Sequence, residues 1–180
     1  IDDIRNNRMF VGAFEWRIEF PEVLDEDGNF AGFDCVIGNP PYIQLQKMGA
    51  DADSLQKMNY ETYERTGDIY CLFYELGMKL LKPGALLSFI TSNKWMRAGY
   101  GEKTRGFFAS KTDPMLLIDF GGVKVFKSAT VDTNILLFAK SSNAHTTKCA
   151  VVNKQVKESI NNLSVFVDMP YSFSEKLIAA

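Results

Sequence analysis

Four consecutive residues, Asn39-Pro40-Pro41-Tyr42, carry the clearest chemical signal in the chain. They follow directly on a short, mostly apolar run, Phe33-Asp34-Cys35-Val36-Ile37, and Gly38. Prolines lack a backbone N–H and cannot continue a ladder, so an apolar strand must stop there. In open α/β sheets, ligands bind just outside the carboxyl ends of strands. Asn39 offers an amide oxygen there and Tyr42 a flat ring. A plain strand terminator explains the same four letters about as well at this point. Other reactive residue types are sparse. The lone histidine, His145, lies in a polar stretch that reads as a surface loop, which sets aside Ser-His-Asp chemistry and a histidine metal site. Cys35, Cys71 and Cys149 are odd in number, widely spaced and without a CxxC pair, so neither a disulfide framework nor a thiolate zinc site is expected. Gly99-Tyr100-Gly101 precedes a helical pattern, and Asp119 follows at a spacing that would suit a dinucleotide fingerprint, but Thr104 stands where the third glycine belongs.

The elements that must position these residues alternate in period. Phe14, Trp16, Ile18 and Phe20 alternate as a half-buried strand would, and Asp25-Glu26-Asp27-Gly28-Asn29 reads as a turn. Residues 33–37 suggest a buried parallel strand. Residues 43–67 are polar and weakly periodic, a long loop with one short helical turn. Asp68 then opens a helix carrying Ile69, Leu72, Phe73, Leu76 and Leu80 at helical spacing, ended by Lys82-Pro83-Gly84. Residues 86–91 form a second strand. A helix with Tyr100, Thr104, Phe107 and Phe108 on one face closes before Pro114, and residues 115–120 and 134–139 form two further strands. Strands alternating with helices imply a largely parallel α/β sheet. The last two strands are joined by about a dozen residues without helical pattern, which favours antiparallel pairing there. Beyond Ser141 the pattern fades, and residues 150–180 carry no readable element.

With 46% hydrophobic residues the chain has ample material for a packed core, and 180 residues suit one domain. No apolar run reaches bilayer length, which argues against a membrane. The formal charge of −2 is unusual for a free-standing nucleic-acid binder, since phosphate neutralisation supplies much of such affinity. The cysteine usage suits a reducing cytoplasm.

The ordered set of short blocks resembles the amino-methyltransferases, specifically the adenine-specific (N6) DNA methyltransferases of restriction–modification systems and their large type IIG-like subgroup. The blocks are Phe14-Glu15-Trp16-Arg17-Ile18-Glu19-Phe20-Pro21-Glu22-Val23, the run from Phe33 through Asn39-Pro40-Pro41-Tyr42-Ile43, and Asp68-Ile69-Tyr70 with Phe73. Leu80-Leu81-Lys82-Pro83-Gly84, Ser92-Asn93-Lys94-Trp95 and Ala129-Thr130-Val131-Asp132-Thr133-Asn134 complete it. Asn-Pro-Pro-Tyr is that family's catalytic motif. The resemblance implies a partial doubly wound, Rossmann-like methyltransferase sheet, mostly parallel with one antiparallel strand near the C-terminal end. It implies S-adenosylmethionine as cofactor and double-stranded DNA with a flipped adenine as partner. Asn39 and Pro40 become the acceptors that orient the amine, with Pro41 and Tyr42 completing the catalytic motif. Tyr42 and Phe126 become base-contacting rings, and Lys94 a phosphate contact. Arg97 and Lys103 are weaker phosphate candidates. Asn39, Asp68 and Phe73 lie toward the cofactor, although an N-cap role for Asp68 and core packing for Phe73 and Phe126 compete with those assignments. No metal is implied.

The resemblance is incomplete. The family's Phe-x-Gly-x-Gly methionine loop and its ribose-holding acid have no counterpart before Asn39. Residues 1–145 are therefore expected to be the catalytic half of a methyltransferase domain, without the first strands. Residues 146–180 would be an extension toward a target-recognition region in the remainder of the parent chain. The chain alone would then be inactive, and residues 33–37 would form an exposed sheet edge. Methylation of a glutamine amide in protein, a non-catalytic folded fragment, and cytosine N4 as target remain as alternatives.

Overall fold

The run leading into Asn39 forms β1 (Phe33–Gly38) of a five-stranded sheet in the computed structural model, which describes residues 16–126 and 131–152. The other strands are β2 (Leu81–Ser92), β3 (Asp113–Asp119), β4 (Thr133–Ala139) and β5 (Lys148–Val151). Their spatial order is β1-β2-β4-β3-β5. β1 runs parallel to β2 and β3 parallel to β5, whereas β4 is antiparallel to both of its neighbours. The sheet is therefore mostly parallel with a single reversed strand, as expected. β5 was not legible in the sequence; it is four residues long, too short for a period to show, and it extends the sheet past residue 145.

The helices are α1 (Trp16–Glu19), α2 (Ala50–Lys57), α3 (Tyr70–Leu80) and α4 (Glu102–Lys111). The strand expected through residues 14–20 is not there: α1 and a 3₁₀ turn at Pro21–Val23 replace it over the described part, and residues 10–15 lie outside the described residues. Pro21 takes the start of that turn, where its missing N–H costs nothing. The following turn forms as read. Asp25 Oδ1 accepts from Asp27 N (3.1 Å) and Asn29 N (2.8 Å), and Leu24 pairs with Phe30. The region read as a long loop is more ordered than expected, since it contains a 3₁₀ turn (Leu45–Lys47) and the two-turn helix α2.

Helix α3 starts at Tyr70 rather than Asp68, and its most buried face is not the aliphatic stripe. Tyr70, Cys71, Tyr74 and Gly77 are buried, and Tyr70, Cys71 and Tyr74 belong to the main core with Leu87, Phe89, Leu117, Leu136 and Phe138 of the sheet. Leu72 and Ile69 turn the other way, into a second cluster with Leu45, Ala52 and Tyr63. The helix is thus enclosed on two sides, and a single apolar stripe cannot describe it. Tyr74 is fully buried, its ring 4.9 Å from Phe108 and 5.3 Å from Phe89. Alternate strand residues Ile118, Ile90 and Ile135 face a third cluster with Phe120, Val123 and Val152. Among the described residues β1 has one strand neighbour, so the expected edge is present, and Ile37 on it is 80% exposed.

Candidate active site

The strand register gathers the reactive loops at one rim of the sheet. Gly38 pairs with Phe89, Ser92 with Thr133, and Asp119 with both Asn134 and Val151. The carboxyl ends of β1, β2, β3 and β5 and the amino end of β4 therefore line the same edge. Asn39 to Tyr42 leave β1 there, Asn93 and Lys94 leave β2, and residues 120–126 leave β3.

Within the Asn-Pro-Pro-Tyr segment, Pro40 is buried while Asn39 and Pro41 are exposed. Burying Pro40 here leaves no backbone N–H unsatisfied, because proline has none. Past the last β1–β2 pair, the Tyr42 hydroxyl donates to the Ile90 carbonyl of β2 (3.2 Å), continuing the tie between the two strands. The half-buried Tyr42 ring meets Tyr70 edge to face, with centroids 5.9 Å apart. Burial raises the Tyr42 phenol above its ordinary value, so it stays a neutral donor at any physiological pH. The backbone around Asn39 is thus held on both sides, and the Asn39 side chain faces solvent from a fixed base.

Asp68 does not cap α3. The helix is capped at Ile69 without a side-chain bond, and Asp68 Oδ2 instead accepts from the Tyr100 hydroxyl (3.1 Å). Tyr100 and Tyr70 share a hydroxyl–hydroxyl bond of 2.7 Å. With the Tyr100 proton directed to the carboxylate, Tyr70 is the donor to Tyr100. Burial is the main cause that lifts both phenols well above their usual range. The chain Asp68–Tyr100–Tyr70 therefore ends on the ring against which Tyr42 packs. Phe73 is half-buried, with part of its ring packed against the main core, and Lys94 is exposed on the 3₁₀ turn Asn93–Met96, where Ser92 Oγ caps its N–H (3.3 Å). Phe126 is half-buried at the end of a segment whose Val123 and Val125 pack into the third cluster. Arg97 is exposed, with Asp119 3.9 Å away. Lys103 donates to the Tyr63 carbonyl (2.8 Å) and pairs with Glu64 (3.2 Å). His145 is an exposed loop residue, and the three cysteines are free.

The Gly99-Tyr100-Gly101 turn is no ligand cradle. A Cβ on Gly101 would lie 1.9 Å from the Trp95 carbonyl oxygen, so the glycine lets two backbone segments touch. Arg105 Nη1 donates to the Trp95 and Ala98 carbonyls (2.7 and 3.1 Å), locking the same turn.

Two groups of residues at the rim escaped sequence reasoning. Asn134 is fully buried, and its Oδ1 accepts from Thr91 Oγ1 and Trp95 Nε1, each at 3.1 Å. Thr91 also bonds the Tyr74 hydroxyl (2.9 Å). Trp Nε1 is a donor only, which fixes the orientation of the Asn134 amide. Asn93 Nδ2 donates to Asp119 Oδ1 (2.9 Å) across the start of β4. Only the polar letters inside apolar strands hinted at the first group, and nothing in the sequence paired Asn93 with Asp119.

No helix of the described residues is long and apolar enough to cross a membrane, and no cluster of acids, cysteines or histidine among them could hold a metal ion. The chain is 35% identical over 124 residues to the type II methyltransferase M.BanIII of Aneurinibacillus aneurinilyticus, covering 63% of this chain and 21% of that protein. It is 30% identical over 114 residues to the type II restriction enzyme and methyltransferase RM.Eco57I of Escherichia coli, covering 62% and 11%. The chain thus spans about a fifth or less of these relatives' length. Among solved structures, it is similar to a Listeria monocytogenes protein assigned to the class I S-adenosylmethionine-dependent methyltransferases, with TM-score 0.55, 20% identity, and 74% and 41% of the two chains covered. The type IIG restriction endonuclease BpuSI also has a TM-score of 0.55, at 18% identity over 81% and 18%. These likenesses establish the methyltransferase fold. The profile of the Eco57I restriction-modification methylases matches residues 2–126, well over half of the chain, and the protein belongs to that family.

Proposed function

We propose that this chain supplies the methyl-acceptor side of an S-adenosylmethionine-dependent DNA methyltransferase that modifies the exocyclic N6 amine of adenine. The observation that carries the reading is the placement of Asn39. It is exposed at the carboxyl rim of a methyltransferase sheet, directly after β1, with Pro40 buried behind it and Tyr42 anchored to β2.

The amine of adenine is a weak nucleophile because its lone pair is delocalised into the ring. Acceptors aimed at its two N–H groups favour the pyramidal amine that forms as the methyl is attacked. The Asn39 side-chain oxygen and the Pro40 carbonyl are suited to that task. Neither acts as a strong base, so no histidine is needed. A target base must leave the duplex to be reached. The Tyr42 ring gives it a stacking face worth ~1–3 kcal/mol, with Phe126 as the second ring. Lys94, exposed beside this rim, suits a DNA phosphate.

S-Adenosylmethionine supplies an electrophilic methyl group when bound. The residues present fit one side of that cofactor: Asn39, the buried Asp68 and the half-buried Phe73 would face it. Gly101 of the Gly99–Gly101 turn is closed off by the backbone of Trp95, so that glycine makes no room for the methionine moiety. Residues 1–145, together with β5, would thus be the catalytic half, with target recognition carried by other parts of the full-length protein. In that protein Asn39→Ala should abolish methyl transfer to DNA, with mass spectrometry of digested nucleosides as the readout. Loss of N6-methyladenine supports the reading, whereas N4-methylcytosine as the wild-type product, or an undiminished rate in the variant, overturns it.

A further inference from the structure

Asn93 and Asp119 meet across a strand that belongs to neither of them. Asn93 follows β2 and Asp119 ends β3, and β4 lies between those strands. The 2.9 Å bond from Asn93 Nδ2 to Asp119 Oδ1 therefore passes over the start of β4. The backbone N–H of Asn93 also donates to the Asp132 carbonyl (3.0 Å), just before β4 begins. Asp119, 5% exposed, holds the other end: its Oδ1 accepts from Gly121 N as well (2.9 Å). Phe120 N donates to the Thr133 carbonyl (3.0 Å), and Val123 N closes a turn on the Phe120 carbonyl (2.9 Å). Gly121 has φ +53° in that turn, a conformation that glycine adopts without strain. One residue of the β2 exit thus contacts both ends of the β3–β4 connection, and the first half of that connection ends at Phe126.

We infer that Asn93 and Asp119 form a positioning clamp that sets the Phe126 segment against the rim bearing Asn39 and Tyr42. The inference rests on the proposed reading of Phe126 as a base-contacting ring. The geometry favours a positioning task over fold stability. Backbone bonds already join β4 to both neighbours, so the side-chain bond adds little to the sheet, yet it fixes the segment that leaves β3 at this rim, which lies outside the strand ladder. Misplacement of a contact by about 1 Å is enough to cost ~100-fold in rate. Asp119 is occupied by this clamp.

The test uses the full-length protein with duplex DNA carrying 2-aminopurine at the target position. Its fluorescence rises when the base is unstacked, and this is followed beside steady-state methylation. Asn93→Ala should lower kcat about tenfold or more and shrink the fluorescence rise, with KM for S-adenosylmethionine and the melting temperature nearly unchanged. Asp119→Ala should lower kcat as well, with a fall in melting temperature because Gly121 N also loses its partner. Asp119→Asn keeps one oxygen that can accept from both Asn93 Nδ2 and Gly121 N, and should retain most of the rate that Asp119→Ala loses. An unchanged kcat in Asn93→Ala, a rate loss there that follows a fall in melting temperature, or an Asp119→Asn variant as slow as Asp119→Ala overturns the clamp. Asn39→Ala in parallel separates the two ideas. If it still methylates adenine, the proposed function fails. If it does not and Asn93→Ala behaves as wild type, the clamp alone fails.

Discussion

At the scale of single residues, the motif works by dividing its tasks. Asn39 is left free, Pro40 closes the backbone without an orphan donor, and Tyr42 is tied at both its hydroxyl and its ring. Tyr42→Phe keeps the ring and removes the bond to the Ile90 carbonyl. It should cost roughly 0.5–1.5 kcal/mol of stability while leaving measurable methylation, checked by thermal melting beside the transfer rate. Tyr42→Ala should additionally weaken capture of the flipped base by ~1–3 kcal/mol, read as a loss of affinity for DNA in which the target base is mismatched. The exposed cations at the rim are expected to act without sequence preference. Lys94→Ala should weaken binding to all duplexes alike and reduce the salt slope of the affinity by about one, measured from 50 to 200 mM salt.

At the scale of elements, polar groups decide how the helices seat. Glu75 of α3 is 1% exposed, and its Oε2 accepts from Thr62 N (3.0 Å) and Thr62 Oγ1 (3.1 Å) while Lys79 Nζ meets Oε1 (2.6 Å). This carboxylate fastens the segment after α2 to α3. Glu75→Ala would leave a buried backbone N–H without a partner and should destabilise by roughly 1–3 kcal/mol, with faster hydrogen exchange over residues 60–63 as the local sign. The helical pattern of α3 was legible, because leucines at i and i+4 show the period whatever they touch. Its true inner face was not, because Tyr70, Tyr74 and Glu75 bury polar atoms whose partners come from distant segments. The Gly99–Gly101 turn misleads for the same reason: a glycine required by contact with the Trp95 backbone looks, in sequence, like one that makes room for a ligand.

At the scale of the whole molecule, the buried Cys71 thiol and the Tyr70 and Tyr74 phenols share one direction of response to pH. Burial pushes the Cys71 thiol up to about 12 from 9.0, and the Tyr70 and Tyr74 phenols far above 10.0. Each is protonated in the folded state over a range where the unfolded chain ionises it. The linked stability is therefore complete below pH 9 and falls as the pH rises from there through the folded values. Unfolding midpoints in denaturant should decline above that pH, and the tyrosinate absorbance of Tyr70 and Tyr74, obtained as the difference from their Phe variants, should grow together with unfolding. The sheet edge has a consequence of its own. Ile37 is 80% exposed on β1, which has one strand neighbour among the described residues. The 180-residue chain by itself should associate edge to edge, and Ile37→Lys should reduce that association in sedimentation velocity runs.

What the sequence alone determined was whatever local chemistry can write. Prolines 40 and 41 end a strand by lacking N–H groups, Asp25 and Gly28 make a turn, and leucine spacing marks α3. The order of the short blocks also carried the family and the reversed strand near the end. Tertiary structure decided which loops share a rim, since register depends on pairings between strands up to about fifty residues apart. It decided that Asp68 serves Tyr100 and not its own helix, and that Asn93 finds Asp119 across β4. It also made a strand of residues 148–151, whose four letters have no period to display, by pairing them parallel to β3. Side-chain hydrogen bonds over such distances leave no spacing in the chain, because their geometry exists only once the sheet has formed.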